Sequence, residues 1–156
     1  MLSGKWTYRS FRNDPAIVGD DAAAALALIF GEGVFDFDPD EGGRFHGGLG
    51  FAGGLMLTLT GETSGEGDAL HYAMIGLGVA GTPTEGWRYD YRCAPGYAWP
   101  DGIGQIASLV GTVVRVNAHG ANAPAGYTAS FIAVQQGLSA PPSSRVYRRN
   151  ALTAGI

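Results

Sequence analysis

The chain alternates apolar and polar side chains in short runs separated by glycine-rich breaks. In Gly4-Lys5-Trp6-Thr7-Tyr8-Arg9-Ser10-Phe11, the residues Trp6, Tyr8 and Ser10 alternate with Lys5, Thr7 and Arg9, the period of a strand with one face toward a core and one toward water. Trp6 and Tyr8 therefore point inward. Asn13-Asp14-Pro15 ends this run, because proline has no ladder donor and Asn and Asp favour turns. In the connection that follows, Asp20 or Asp21 can cap a short helical turn over Ala22 to Ala25 that folds over one mouth of a barrel.

Seven further strand-like runs follow. The second covers 26–38, with Gly31 and Gly33 where a long strand must bend or bulge. The third and fourth cover 44–51 and 55–60, and the leucines Leu55, Leu57 and Leu59 mark the inner face of the fourth. The fifth, 69–80, is apolar on both faces. In the sixth, Trp87, Tyr89 and Tyr91 alternate with Arg88, Asp90 and Arg92; 106–117 and 127–136 supply the last two. Turn signals at regular intervals with almost no helical periodicity predict an all-β fold: a single eight-stranded antiparallel up-and-down barrel, since closure removes exposed edges. The barrel domain is expected over 1–136. A short non-helical extension, 137–156, carries Pro141-Pro142-Ser143-Ser144, then Arg145, Arg148 and Arg149, with Val146 and Tyr147 as an apolar foothold.

The Gly4-x-Trp6 opening resembles the lipocalins, in which that tryptophan closes one end of an eight-stranded barrel, and Tyr89-Asp90-Tyr91 is similar to their Thr-Asp-Tyr element with Tyr89 in place of Thr. Avidin-like barrels are resembled less closely. The likeness implies a calycin-type barrel with an arginine packed on the tryptophan. The long helix that lipocalins place after their last barrel strand has no counterpart here.

A length of 156 residues with 46% apolar content suits one domain with a sizeable core. The net charge of -4 provides no basic footprint for a phosphate backbone, so no nucleic-acid partner is expected. With Cys93 as the only cysteine, no intrachain disulfide forms and a reduced, cytoplasmic setting is expected. No apolar run approaches a membrane span and the N-terminus has no leader pattern, so no membrane partner is expected either.

Several motifs fail on their own chemistry. Two glycine triplets, Gly48-Gly50-Gly53 and Gly76-Gly78-Gly81, have fingerprint spacing, but neither opens a helix that would hold a pyrophosphate, and 26 glycines produce such spacing by chance. Asp36, Asp38 and Asp40 have the opening spacing of a calcium loop, yet Glu41 stands at the turn glycine and Gly47 at the closing glutamate. His46, His71 and His119 lack the spacing of a shared metal, and no metal or other cofactor is expected. If a barrel of this kind held haem through one interior histidine, His71 would be the residue, since it opens the face carrying Ala73, Ile75 and Leu77. There is no Gly-x-Ser-x-Gly elbow, and Cys93 has no sequence-local partner to activate it, its parity with Tyr91 placing it beside aromatics.

The informative set is the aromatic content of the inward face. Trp6, Tyr8, Trp87, Tyr89, Tyr91, Tyr127 and Phe131 share it, which either fills the barrel or builds a pocket for a small apolar or aromatic ligand. The segment 94–105, carrying Tyr97 and Trp99, reads as a lid with Trp99 gating access. Arg115 interrupts an apolar run, where a charge must reach solvent or find a partner, for which Glu32 and Asp90 are candidates; buried and paired, it either ties the barrel end together, the commoner role, or binds a ligand carboxylate. Three functions are compatible with these residues. The first is non-catalytic binding in the barrel. The second is a small cyclase or isomerase using Glu32, Asp90 or Arg115 for charge and a tyrosine for the proton. The third is an oligomeric scaffold with a filled interior, for which the apolar outer faces leave room for a homo-oligomer.

Overall fold

The computed structural model describes residues 2–137. Its eight strands are β1 (Gly4–Arg12), β2 (Ile29–Pro39), β3 (Arg44–Phe51), β4 (Met56–Ser64), β5 (His71–Gly78), β6 (Arg88–Pro95), β7 (Ser108–Arg115) and β8 (Thr128–Gln135). Each pairs antiparallel with the next, and β8 returns to β1, so the sheet closes into a barrel. This is the all-β, calycin-type architecture that the alternation predicts. The C-terminal extension, beyond Gly137, lies outside the described residues.

The boundaries move where turn chemistry and tertiary pairing compete. α1 (Ala22–Ala27) runs two residues past the expected turn, with the Asp21 side chain accepting from the backbone N–H groups of Ala23 and Ala24. The second strand accordingly starts at Ile29 rather than at 26. β4 continues through Glu62 and Ser64, because pairing with Ala73 and His71 of β5 outweighs the polar, turn-like composition there.

Inward positions follow the expected parity on β1, β4 and β6. Trp6, Tyr8 and Ser10, Leu57 and Leu59, and Tyr89, Tyr91 and Cys93 are all buried. β5 is reversed. Tyr72 and Met74 point in and Gly76 stands beneath Leu57, Leu59 and Tyr91, whose atoms would lie 3.2 Å from an added Cβ. Ile75 and Leu77, 38% and 46% exposed, look outward with His71. The physical reason is volume: the interior at Gly76 is already occupied by Tyr91 and two leucines, so the bulkier alternate set cannot be accommodated there. On β7 the inner face is Leu109, Val113 and Arg115.

The core is largely aromatic. Tyr8, Phe35, Tyr91 and Phe131 meet edge-on or tilted with centroids 4.8–6.2 Å apart, and Phe37, Phe45 and Tyr72 continue the chain. Trp6 is buried among these residues at the end of the barrel where β1 begins, its indole N–H donating to the Ser3 carbonyl at 2.9 Å.

Candidate functional site

β1 and β7 run in the same direction, since each pairs antiparallel with β8. The C-terminal ends of both therefore lie at one mouth of the barrel, together with the starts of β2, β6 and β8. At this mouth a cavity of about 250 Å³ is lined by Tyr8, Ser10, Phe30, Trp87, Tyr89 and Arg115 among others, with His119 from the β7–β8 connection. Its floor is Tyr8 and Tyr91, backed by Phe35 and Phe131. The rest of the bore is packed with side chains.

Phe30 reaches this cavity through an irregularity of the ladder. Ser10 pairs with Gly31, but Phe11 pairs with Ile29, so Phe30 is the extra residue of a bulge. Without it, Phe30 would share the outward parity of Glu32; with it, the ring turns inward and stacks on Tyr127 at 5.2 Å.

Arg115 occupies the centre of the polar side. Its Nε donates to the Tyr89 hydroxyl at 3.1 Å and its Nη1 to the Pro124 carbonyl at 3.2 Å. Its guanidinium lies over Phe30, Tyr89 and Tyr127, 5.2, 5.9 and 5.7 Å from their centroids. The Tyr89 oxygen, which accepts from Arg115, also lies within hydrogen-bond distance of His119 Nε2, at 2.6 Å. The His119 ring lies flat on Trp87 at 4.0 Å. Burial and the nearby Arg115 charge lower the His119 pKa, while burial raises the phenols of Tyr8 and Tyr91 and keeps both as neutral donors.

No family model, no curated protein and no solved structure matches the chain. The resemblance to calycins therefore stands at the level of architecture.

Of the residues singled out by sequence, Tyr8, Trp87, Tyr89, Tyr91 and Arg115 come together around the cavity. Tyr127 stands at its rim, stacked on Phe30. Phe131 is buried behind the floor, and Trp6 is at the opposite end. The lipocalin-like expectation of an arginine on that tryptophan is not met, because Arg115 packs on rings at the other mouth.

The lid expectation is corrected as well. The segment with Trp99 joins the end of β6 to the start of β7, which places it at the mouth opposite the cavity. There Trp99 is 68% exposed against Tyr97, its backbone held by the Gln105 amide. Glu32 and Asp90 are corrected too. Both lie on the outer surface, paired with Arg9 at 3.5 Å and Arg88 at 3.0 Å, since their parity opposes that of Tyr8 and Tyr89. His71 is likewise exposed, with Nδ1 2.9 Å from the Ala69 carbonyl oxygen, and cannot present an interior nitrogen. Among the described residues no group of three His, Cys, Asp or Glu side chains converges as a metal site.

Sequence reasoning missed Phe30 and His119. The double glycine interruption at Gly31 and Gly33 signals a bulge but not which ring it turns. His119 sits in a turn-forming run whose distance from Trp87 only the closed barrel removes.

Proposed function

We propose that this protein binds a small aromatic molecule at the open mouth of its barrel. The observation that carries the reading is the cavity itself: ring faces of Phe30, Trp87 and Tyr89 surround a space of about 250 Å³, above a floor whose phenols stay protonated. Sites for drug-sized ligands run to roughly 300–1,000 Å³, so the occupant is small, of one or two rings. Aromatic walls recognise a flat ligand by edge and face contacts, and the hydroxyl groups fix its orientation.

Trp87 supplies the assay. Titration of the purified protein with benzene- and naphthalene-ring compounds changes its emission, and Gly31→Val, which places two methyl groups into the cavity beside Tyr8 and Phe51, removes the response. Emission that stays constant across the whole series overturns the reading.

A second reading, a small isomerase, is favoured by one observation: the Arg115–Tyr89–His119 chain of hydrogen bonds ends in a titratable base at the cavity wall. With Glu32 and Asp90 outside the barrel, Tyr89 and His119 are the groups that could pass a proton. Solvent deuterium exchange into an acidic C–H of a bound ketone, abolished in Tyr89→Phe, is the corresponding test.

A further inference from the structure

Among the described residues Arg115 is a buried cation without an acidic partner. Only 8% of its surface is exposed, and the ion pairs among the described residues join Lys5 to Asp36, Arg9 to Glu32, His46 to Asp40 and Arg88 to Asp90. Met1 and residues 138–156 contain no Asp or Glu. No acidic side chain among the described residues balances the guanidinium, although buried charges are ordinarily paired.

The remaining surroundings of the guanidinium divide it into a used and an unused side. Nε and Nη1 are committed to Tyr89 and Pro124. Nη2 makes no hydrogen bond with a described residue, and Arg115 is one of the residues that line the cavity. Three rings hold the plane of the group in place, and a fixed, planar donor edge at the wall of an apolar cup is suited to a carboxylate. The other polar groups at the wall agree. Tyr8 and Tyr91 are neutral phenols, and no carboxylate lines the cavity to repel an anion.

We propose that the ligand is an aromatic carboxylic acid, bound as its anion: the ring system lies among Phe30, Trp87 and Tyr89, and the carboxylate accepts from Arg115 Nη2. The inference rests on the binding function proposed above and names its ligand class. It adds a charge requirement that an apolar cup alone does not impose.

The test uses matched pairs on the full-length protein by titration calorimetry at pH 7.5: benzoate with benzamide, phenylacetate with phenylacetamide, and 2-naphthoate with 2-naphthamide. Each pair has nearly the same shape and differs in charge. The expected result is that at least one acid binds roughly ten- to hundred-fold more tightly than its amide, the range for a hydrogen bond to a charged group. The same preference shrinks in Arg115→Lys, which keeps the charge without the planar edge, and vanishes in Arg115→Met. Equal affinities within every pair overturn the carboxylate inference and leave aromatic binding standing. No binding by any acid or amide overturns both. Because the wild-type pairs alone decide the question, an Arg115 variant that fails to fold does not obscure it.

Discussion

The Tyr89 hydroxyl and His119 Nε2 lie 2.6 Å apart, although 30 residues separate them in the chain. The contact joins β6 to the β7–β8 connection across the cavity mouth, and it ties the protonation of one loop residue to the polar wall of the site. Arg115, on the far side of the same oxygen, disfavours a positive charge on the imidazole.

From this follows a pH dependence of stability. The folded state holds His119 below its ordinary pKa of 6.5, through burial first and Arg115 second. Below that value the unfolded chain binds the proton more readily, so stability is full above about pH 6.5 and falls as the solution is acidified. His119→Gln, which cannot titrate, flattens the slope between pH 7 and pH 5 in urea denaturation. An unchanged slope in that variant contradicts the assignment.

Ligand binding carries a linked effect on the same group. An anion beside Arg115 offsets the charge that depresses His119, so its pKa rises when a carboxylate ligand is bound. The His119 ring resonances, followed by NMR through a pH titration with and without 2-naphthoate, are expected to shift their midpoint upward in the complex. A neutral amide produces less of this change.

The half-buried Trp87 and the exposed Trp99 distinguish the true mouth from the false one. Trp99→Ala alters a loop at the far end of the barrel and is expected to leave ligand affinity within about two-fold, the scale of a surface change without a shared partner. Trp87→Ala removes a wall of the cavity and the stacking surface of His119, and lowers affinity about ten-fold or more. Calorimetry on both variants checks the contrast.

The sequence-based reading and the molecule agree where one face is strongly marked. β1 and β6 alternate rings with charges, so Trp6, Tyr8, Tyr89 and Tyr91 can point only inward. On β5 the pattern leaves the face open, since Met74 and Ile75 are equally apolar and the choice depends on Gly76 making room for Tyr91, a contact with another strand. The site was half legible for the same reason. Tyr8, Trp87 and Tyr89 follow from parity and Arg115 stands out as a charge in an apolar run, but a bulge that turns Phe30 inward and a loop that brings His119 onto Trp87 leave no periodic trace. Trp99 looked like a lid because aromatic residues stand out in a loop; which mouth a loop serves is decided by strand direction, not by its composition.

Thr84 tests how the β5–β6 connection is fastened beside the cavity. Fully buried, it donates through Oγ1 to the Met56 carbonyl at 2.8 Å and accepts from the Val79 N–H at 3.1 Å, so it joins the start of β4 to the end of β5. Thr84→Val keeps the volume and leaves both backbone groups without that partner, at an expected cost of about 1–3 kcal/mol in urea denaturation. Thr84→Ser retains the hydroxyl and loses only a methyl group, so it stays closer to wild type. Equal losses in both variants assign the effect to packing instead.

Cys93 gives the alkaline counterpart to His119. Burial among aromatic neighbours pushes its thiol from 9.0 up to about 12. Between those values the folded chain keeps a proton that the unfolded chain releases, so stability is full below about pH 9 and declines as pH rises toward 12. Tyr8, Tyr72 and Tyr91, also raised by burial, add to the decline above their ordinary value of 10.0. Cys93→Ala removes this part of the loss: its denaturation midpoint is expected to change less than that of wild type between pH 8.5 and pH 10, and wild type keeps the steeper fall toward pH 12. The same burial makes the native thiol slow to react with a disulfide reagent at pH 8, and full reactivity returns in urea. Rapid modification of the folded protein would place Cys93 in solvent and remove the basis for its raised pKa.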